Sequence, residues 1–183
     1  NHFVDPDWQQ WVNTFEHPGR EVYDQRHAII AASRVRPGMD VADIGAGTGL
    51  FTRLFAAAVE PGGTVYAIDI ASTVVDNILR TSREQGLSNV TGILNTNIYT
   101  GLPAHSIDLA FITDTYHHFE FPQQMLASID QALRSEGRVI IIDFRRDPAI
   151  SSNWVMGHVR GNKAQVIDEV QAAGFRLVGD KAL

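Results

Sequence analysis

A chain of 183 residues, 44% of them hydrophobic, is long enough for one α/β core and too short for two. Its net charge of −6, with no block of like charge, argues against nucleic acid or an anionic membrane surface as a partner, and no apolar run approaches the roughly 20 residues that span a bilayer. Cysteine is absent, which excludes disulfides, thiolate metal sites and thiol nucleophiles.

Residues 1–36 read as polar and helical. Trp8, Trp11, Val12 and Phe15 recur at i, i+3, i+4 and i+7, the spacing of an amphipathic cover. A second helix is expected from about Arg20 to Ser33, apolar at Val22, Ile29 and Ile30, with Tyr23, Arg26 and His27 as polar side chains with reach. Pro37-Gly38 reads as a turn, and Val41 to Ile44 as a short buried strand. Gly45-Ala46-Gly47-Thr48-Gly49 follows, and apolar residues at helical spacing continue from Leu50 to Val59. Such a strand-to-helix loop is a binding site made mostly of backbone: without Cβ atoms the chain approaches a ligand closely, and the helix points unpaired N–H groups at it.

The next strand, 64–70, reaches Asp69 about 20 residues after Gly49, where a carboxylate can accept hydrogen bonds from both hydroxyls of a ribose. A dinucleotide fingerprint counted from Gly45 would need glycine where Leu50 stands. Beyond it, Ala71 to Glu84 is helical, Val90 to Leu94 is a third strand ending on Asn95-Thr96-Asn97, and Ile107 to Thr113 is a fourth. That strand runs into Asp114-Thr115-Tyr116-His117-His118-Phe119, residues that face the ligand crevice in a doubly wound sheet. A helix from Met125 to Leu133, a turn at Arg134–Arg138 and a buried strand from Val139 to Phe144 follow. The stretch from Arg145 to Lys163 is polar and irregular, Ala164 to Ala173 is helical, and Gly174-Phe175 opens a sixth strand reaching Val178.

The pattern D-x-G-x-G-x-G from Asp43 to Gly49 resembles the first motif of the class I S-adenosylmethionine (SAM) dependent methyltransferases. Asp69, Leu102-Pro103, Ser106-Ile107-Asp108, Tyr116-His117-His118-Phe119 and Ala173-Gly174-Phe175 extend the resemblance from about Pro37 to Val178, toward the small-molecule branch that includes the ubiquinone and menaquinone biosynthesis enzymes. It implies a doubly wound, mostly parallel, Rossmann-like α/β fold in a single domain over 1–183. Residues 1–36 would be a helical cover, 37–144 the cofactor-binding core and 145–183 a substrate-side segment. SAM is the implied cofactor, S-adenosylhomocysteine (SAH) the product and a small molecule the acceptor. Carried over by position, Asp43, Gly45, Gly47 and Gly49 belong to the methionine end, Asp69 to the ribose with Ile70 beside it, and Asn95 or Asn97 to the adenine. Asp114, in the crevice, is expected among the cofactor-binding residues, and Tyr23 closes over the methionine end from the leading helix. The sequence departs from the family in having Asn where Asp is usual after the third strand and Ser135-Glu136 where Pro-Gly is usual. The sequence stops before the family's seventh strand, so the expectation is either that the strand lies beyond Leu183 or that the open sheet edge is covered some other way, association of copies being one.

Methyl transfer needs alignment, desolvation and, for some acceptors, removal of a proton. His117 and His118 are the candidates for that base. In an extended segment they point to opposite sides, so one faces the acceptor. No metal is expected, because His117, His118, Asp143 and His158 show no chelating spacing. Arg145, Arg146, His158 and Arg160 are candidates for a pocket suited to an anionic acceptor. The alternative from another class is a protein of this fold that binds SAM or a partner without transferring methyl. Cytoplasm is the default expectation, with export after signal-peptide removal left open because the sequence starts at Asn1.

Overall fold

Val41–Ile44, strand β1, is buried along its whole length, as a central strand covered by helices on both faces must be. It pairs in parallel with β2 (Val65–Asp69) on one side and β4 (Ile107–Thr113) on the other. The computed structural model describes residues 7–181; the expectations for residues 1–6 and 182–183 lie outside them. Strand β3 (Val90–Leu94) extends the sheet beyond β2, and β5 (Leu133–Ile142) beyond β4. The order is β3-β2-β1-β4-β5 with every pairing parallel. The order reverses direction between β1 and β4, and the carboxyl ends of strands at such a point open a crevice for a ligand.

Alternation along each strand decides which helices it holds. Val41, Val65, Leu109 and Phe111 face one layer, where Phe51, Phe55 and Val59 of α4 (Leu50–Val59) and Ile29 of α3 (Arg26–Ala32) complete the core. Ala67 shares a cluster with Val74 and Ile78 of α5 (Ser72–Glu84). The other face carries Ala42, Ile44, Ala110 and Ile112, packed by Met125, Leu126 and Ile129 of α6 (Pro122–Ala132) and by Val166 and Val170 of α8 (Lys163–Ala172). Phe51, Phe55 and Phe111 stack within the first layer at centroid distances of 4.9 to 6.4 Å. Full burial of one such ring contributes about 1.5–3 kcal/mol.

The expected amphipathic cover is α1 (Trp8–Phe15), capped by the Asp7 carboxylate accepting from Gln10 N–H at 2.9 Å. Its Trp8 and Trp11 pack against Ala46, Ala71 and their neighbours beside the glycine loop. Glu16, just past α1, takes both its carboxylate oxygens to the Arg53 guanidinium of α4 at 2.8 Å. The second expected helix is broken into α2 (Glu21–Asp24) and α3 at Gln25.

The far end of the sheet departs most from the sequence reading. The turn expected at Arg134–Arg138 is instead an irregularity inside β5, where Leu133 pairs with Ile107 and Arg138 with Leu109. Arg134 there donates to both Asp40 and Asp108 at 2.8 Å, so ion pairs hold what a Pro-Gly turn would otherwise shape. The sixth strand is not formed among the described residues. The chain leaves α8 through Gly174 at φ +98°, with Phe175 N–H donating back to the Val170 carbonyl at 3.3 Å, a helix-ending turn. Phe175 tucks onto the core while Leu177 and Val178 stay exposed, so no pairing draws them into the sheet. A groove of about 1830 Å³ runs along β5 instead, reaching from Leu133 to Asp114 and His117. No helix among the described residues is long and apolar enough to cross a membrane.

Candidate active site

The crevice is built from the residues that follow each strand. After β1, Gly45 and Ala46 both donate to the Ile68 carbonyl, at 2.8 and 3.0 Å, so the loop is laid across the end of β2. Gly45 has φ +72°, and a Cβ there would meet the Thr115 side chain at 2.2 Å; no other residue fits. Gly47 is also left-handed at φ +54°, but a Cβ there would find nothing closer than the Gly45 carbonyl at 3.9 Å. The first glycine is closed by the protein, and the second faces open space. Gly49 caps α4, so the helix dipole points into the same crevice.

Asp69, at the end of β2, accepts from Gly47 N–H and from Ala71 N–H, both at 3.1 Å. Each oxygen keeps a lone pair. Burial holds this carboxyl above the usual carboxylate range, partly offset by the backbone N–H donors of Ala71, Gly47 and Ile70. Ile70 is exposed beside it. Asn95, just past β3, donates its backbone N–H to the Asp69 carbonyl at 3.1 Å. Its side-chain Oδ1 is buried with no partner among the described residues, an orphaned acceptor of the kind an amine on a bound base would satisfy. Asn97, by contrast, is exposed and donates to Glu120 at 3.1 Å.

Asp43 lies inside the protein and accepts a 2.6 Å hydrogen bond from the Thr52 hydroxyl of α4. It fixes the helix to the strand from within. Burial pushes its carboxyl up to about 6, against the lowering effect of Thr52.

On the other side of the switch point, Asp114 adopts φ +48° and donates its N–H to the Ile142 carbonyl at 2.8 Å. Its carboxylate is paired with Arg20, from the segment before α2. Burial outweighs that cation and raises Asp114 to about 6. Arg20 is the residue sequence reasoning missed. Tyr23, the residue expected from this region, lies under the Arg26 guanidinium, 4.1 Å from its ring centroid; the isolated charge of Arg20 before a short helix gave no signal.

Tyr116–His118 is a 3₁₀ turn, and this corrects the expectation of an extended segment. Three residues per turn do not alternate sides, and the His117 and His118 rings lie 4.0 Å apart. His117 is buried; its Nδ1 lies 2.7 Å from Asp143 Oδ1, and its backbone N–H donates to Asp143 Oδ2 at 3.0 Å. Its Nε2 lies 3.2 Å from Nε2 of His158, which ends α7 (Asn153–His158). Trp154 stacks on the His158 ring at 4.6 Å. Partial loss of hydration holds the His118 imidazole down to about 4, with its neighbours His117 and His158 adding to the effect.

The expected pocket arginines line the groove along β5 together with Asp114 and His117, each engaged with a partner of its own. Arg160 makes two 2.7 Å bonds to Glu169 of α8, whose Oε2 also accepts from the Tyr116 hydroxyl at 2.9 Å. Arg145 is exposed and pairs with Asp147. Arg146 donates to the Met156 carbonyl at 3.3 Å, its Nε buried without a partner among the described residues.

The sequence pattern of the family described as "Methyltransferase domain" matches residues 42–141, more than half of the chain. Nocamycin O-methyltransferase of Saccharothrix syringae is 31% identical over 125 residues, covering 68% of this chain and 44% of its own length. The ubiquinone/menaquinone biosynthesis C-methyltransferase UbiE of Burkholderia vietnamiensis (strain G4 / LMG 22486) is 30% identical over 122 residues, covering 64% and 48%. The chain thus spans about half the length of the curated relatives it matches. A solved SAM-dependent methyltransferase from Aquifex aeolicus superposes with a TM-score of 0.81 at 22% identity, over 94% of this chain and 90% of its own. The [4+2]-cyclase SpnF does so at 0.74 and 22%, over 90% and 63%. These two show the fold. With the glycine loop at the switch point, Asp69 on its amides and the family pattern running from β1 into β5, the chain belongs to the class I SAM-dependent methyltransferases, whose cofactor is SAM.

Proposed function

We propose that this chain, working as one domain, transfers the methyl group of SAM to a small-molecule acceptor. The observation that carries the reading is the Asp69 carboxylate, held by the Gly47 and Ala71 amides with lone pairs to spare, flanked by the open face of Gly47 and the orphaned Oδ1 of Asn95. The residues fit the group. SAM, when bound, supplies an electrophilic methyl on a positively charged sulfur. Gly45, Gly47 and Gly49 admit the methionine end, and Asp43 keeps their loop in register with α4. Asp69 accepts from the ribose hydroxyls, Ile70 offers an apolar surface, and Asn95, rather than Asn97, accepts from the adenine amine. Arg20 takes the place expected of Tyr23, binding Asp114 across the crevice. Asp114, His117 and His118 form the acceptor side, and an acceptor that must lose a proton loses it there.

The relatives' names, an O-methyltransferase and a C-methyltransferase of ubiquinone/menaquinone biosynthesis, support a small-molecule acceptor methylated on oxygen or on carbon. Calorimetry with SAM and SAH tests the cofactor assignment. The intact protein is expected to bind both in the micromolar range, with Asp69→Ala costing about 1.5–3 kcal/mol as charge-assisted hydrogen bonds are lost. Absence of binding to either ligand refutes the reading. SAH binding without methyl transfer to any acceptor panel favours a binding protein on the same fold.

A further inference from the structure

We propose that His117, His118 and His158 form a site for one divalent transition-metal ion of the zinc class. The three imidazoles each offer a nitrogen, and those nitrogens lie within 4.8 Å of one another. They come from two places, the 3₁₀ turn after β4 and the end of α7, separated by 41 residues between His117 and His158. That is why no chelating spacing appears in the sequence.

The geometry of the buried member is the decisive part. An ionised carboxylate only accepts, so the 2.7 Å contact between His117 Nδ1 and Asp143 Oδ1 places the ring proton on Nδ1 and leaves the lone pair on Nε2. A carboxylate on the far nitrogen of an imidazole is the arrangement that orients metal-bound histidines and raises their basicity. Asp143 is itself held, because its oxygens also accept from the backbone N–H of His117 and Phe144, at 3.0 and 2.8 Å. The Nε2 lone pair is directed at His158 Nε2, 3.2 Å away. Two ligands on a tetrahedral ion with bonds of about 2.0–2.1 Å stand roughly 3.3 Å apart. The His118 ring centroid is 4.0 Å from that of His117 and 5.1 Å from that of His158, so a turn about its side-chain torsions completes a three-nitrogen set.

The surroundings suit such an ion. His118 and His158 are exposed while His117 is buried, which leaves an entry path. Trp154, stacked on His158, and Phe144, 5.7 Å from His117, wall the cluster with apolar rings. Three neutral imidazoles and no cysteine favour Zn²⁺, Co²⁺ or Ni²⁺ over Mg²⁺ or Ca²⁺, which want oxygen ligands. Three protein ligands also leave one coordination position open. Its use rests on the methyl-transfer reading: that position takes an acceptor oxygen and lowers the pKa at which it loses its proton.

The experiment uses tag-free full chain, dialysed against chelator and titrated with ZnCl₂ in a calorimeter and with CoCl₂ in a spectrophotometer. One equivalent is expected to bind, with the intense visible bands of tetrahedral Co²⁺. His158→Ala, at an exposed position that does not threaten folding, is expected to weaken binding by at least about 100-fold, and Asp143→Asn by about 10–100-fold, the usual effect of losing the outer partner. No saturable zinc binding by the intact chain, or unchanged affinity in His158→Ala, overturns the site, leaving a simple hydrogen bond between His117 and His158. SAH is titrated into the same samples. SAH binding without zinc overturns the metal site alone, while zinc binding without SAH supports it and refutes the proposed function.

Discussion

The two sides of the crevice are made of different materials. The side proposed for the cofactor is assembled from backbone and consecutive turns: Gly45 to Gly49 after β1, Asp69 after β2, Asn95 after β3. The side proposed for the acceptor is assembled from side chains that meet across the fold: Arg20 on Asp114, Asp143 on His117, His158 on His117. A site of the first kind tolerates almost no change of backbone and little depends on distant segments. In a site of the second kind each segment can be exchanged, provided its partner remains. This difference is what lets one fold keep its cofactor while its acceptor varies.

The comparison breaks most visibly at Gly45. Alanine there must hold a left-handed φ of +72° and drive its Cβ to 2.2 Å from the Thr115 side chain. Gly45→Ala is expected to lower stability by about 4 kcal/mol, since strained backbone and a core clash add, and to abolish SAH binding. Urea denaturation and calorimetry check it. A variant that binds SAH like the parent shows that the loop is not held as described.

The comparison sharpens within the cofactor side at the internal carboxyl of Asp43. The carboxyl of Asp43 moves from 3.8 unfolded to about 6 folded, so the folded protein is the better proton binder. Its contribution to stability is therefore complete below about pH 4 and is lost as pH rises through 6. The difference amounts to about 3 kcal/mol. Asp43→Asn keeps an oxygen for the Thr52 hydroxyl and has no proton to lose. In urea melts from pH 4 to 7, the parent minus the variant is expected to fall by about 2–3 kcal/mol across that window. A difference that stays flat means that Asp43 ionises without cost, contrary to its burial.

The same division explains what could be read in advance. The strand-to-helix loop, Asp69 and the first four strands are written in local spacing and apolar alternation, and each lies in the structure close to where the sequence puts it. Val41–Ile44 and Val90–Leu94 match to the residue. The choice between Asn95 and Asn97 was open in sequence because both amides suit adenine; only the fold turns one inward with a buried oxygen and leaves the other on Glu120. The histidines went astray for a geometric reason. Alternation holds for extended chain, and a 3₁₀ turn put His117 and His118 on one side. His158 joins them through a helix within a stretch whose polarity read as irregular. The failed sixth strand has a related cause: Gly174-Phe175 ends a helix equally well whether or not a strand partner waits beyond it.

The smallest effect tests whether the acceptor side is held by redundant contacts. Tyr116 is fully buried, packed 5.2 Å from Phe119, and its hydroxyl donates to Glu169 Oε2. That carboxylate is already held by both arms of Arg160. Burial, with Glu169 adding to it, pushes the phenol well above its ordinary range, so it remains a donor at any working pH. Tyr116→Phe keeps the ring in place and removes one hydrogen bond from an acceptor that retains two others. The expected loss is about 1 kcal/mol, with SAH affinity unchanged, because nothing in the glycine loop leans on Glu169. A drop in SAH binding in this variant would tie α8 to the cofactor side and erase the distinction between the two halves.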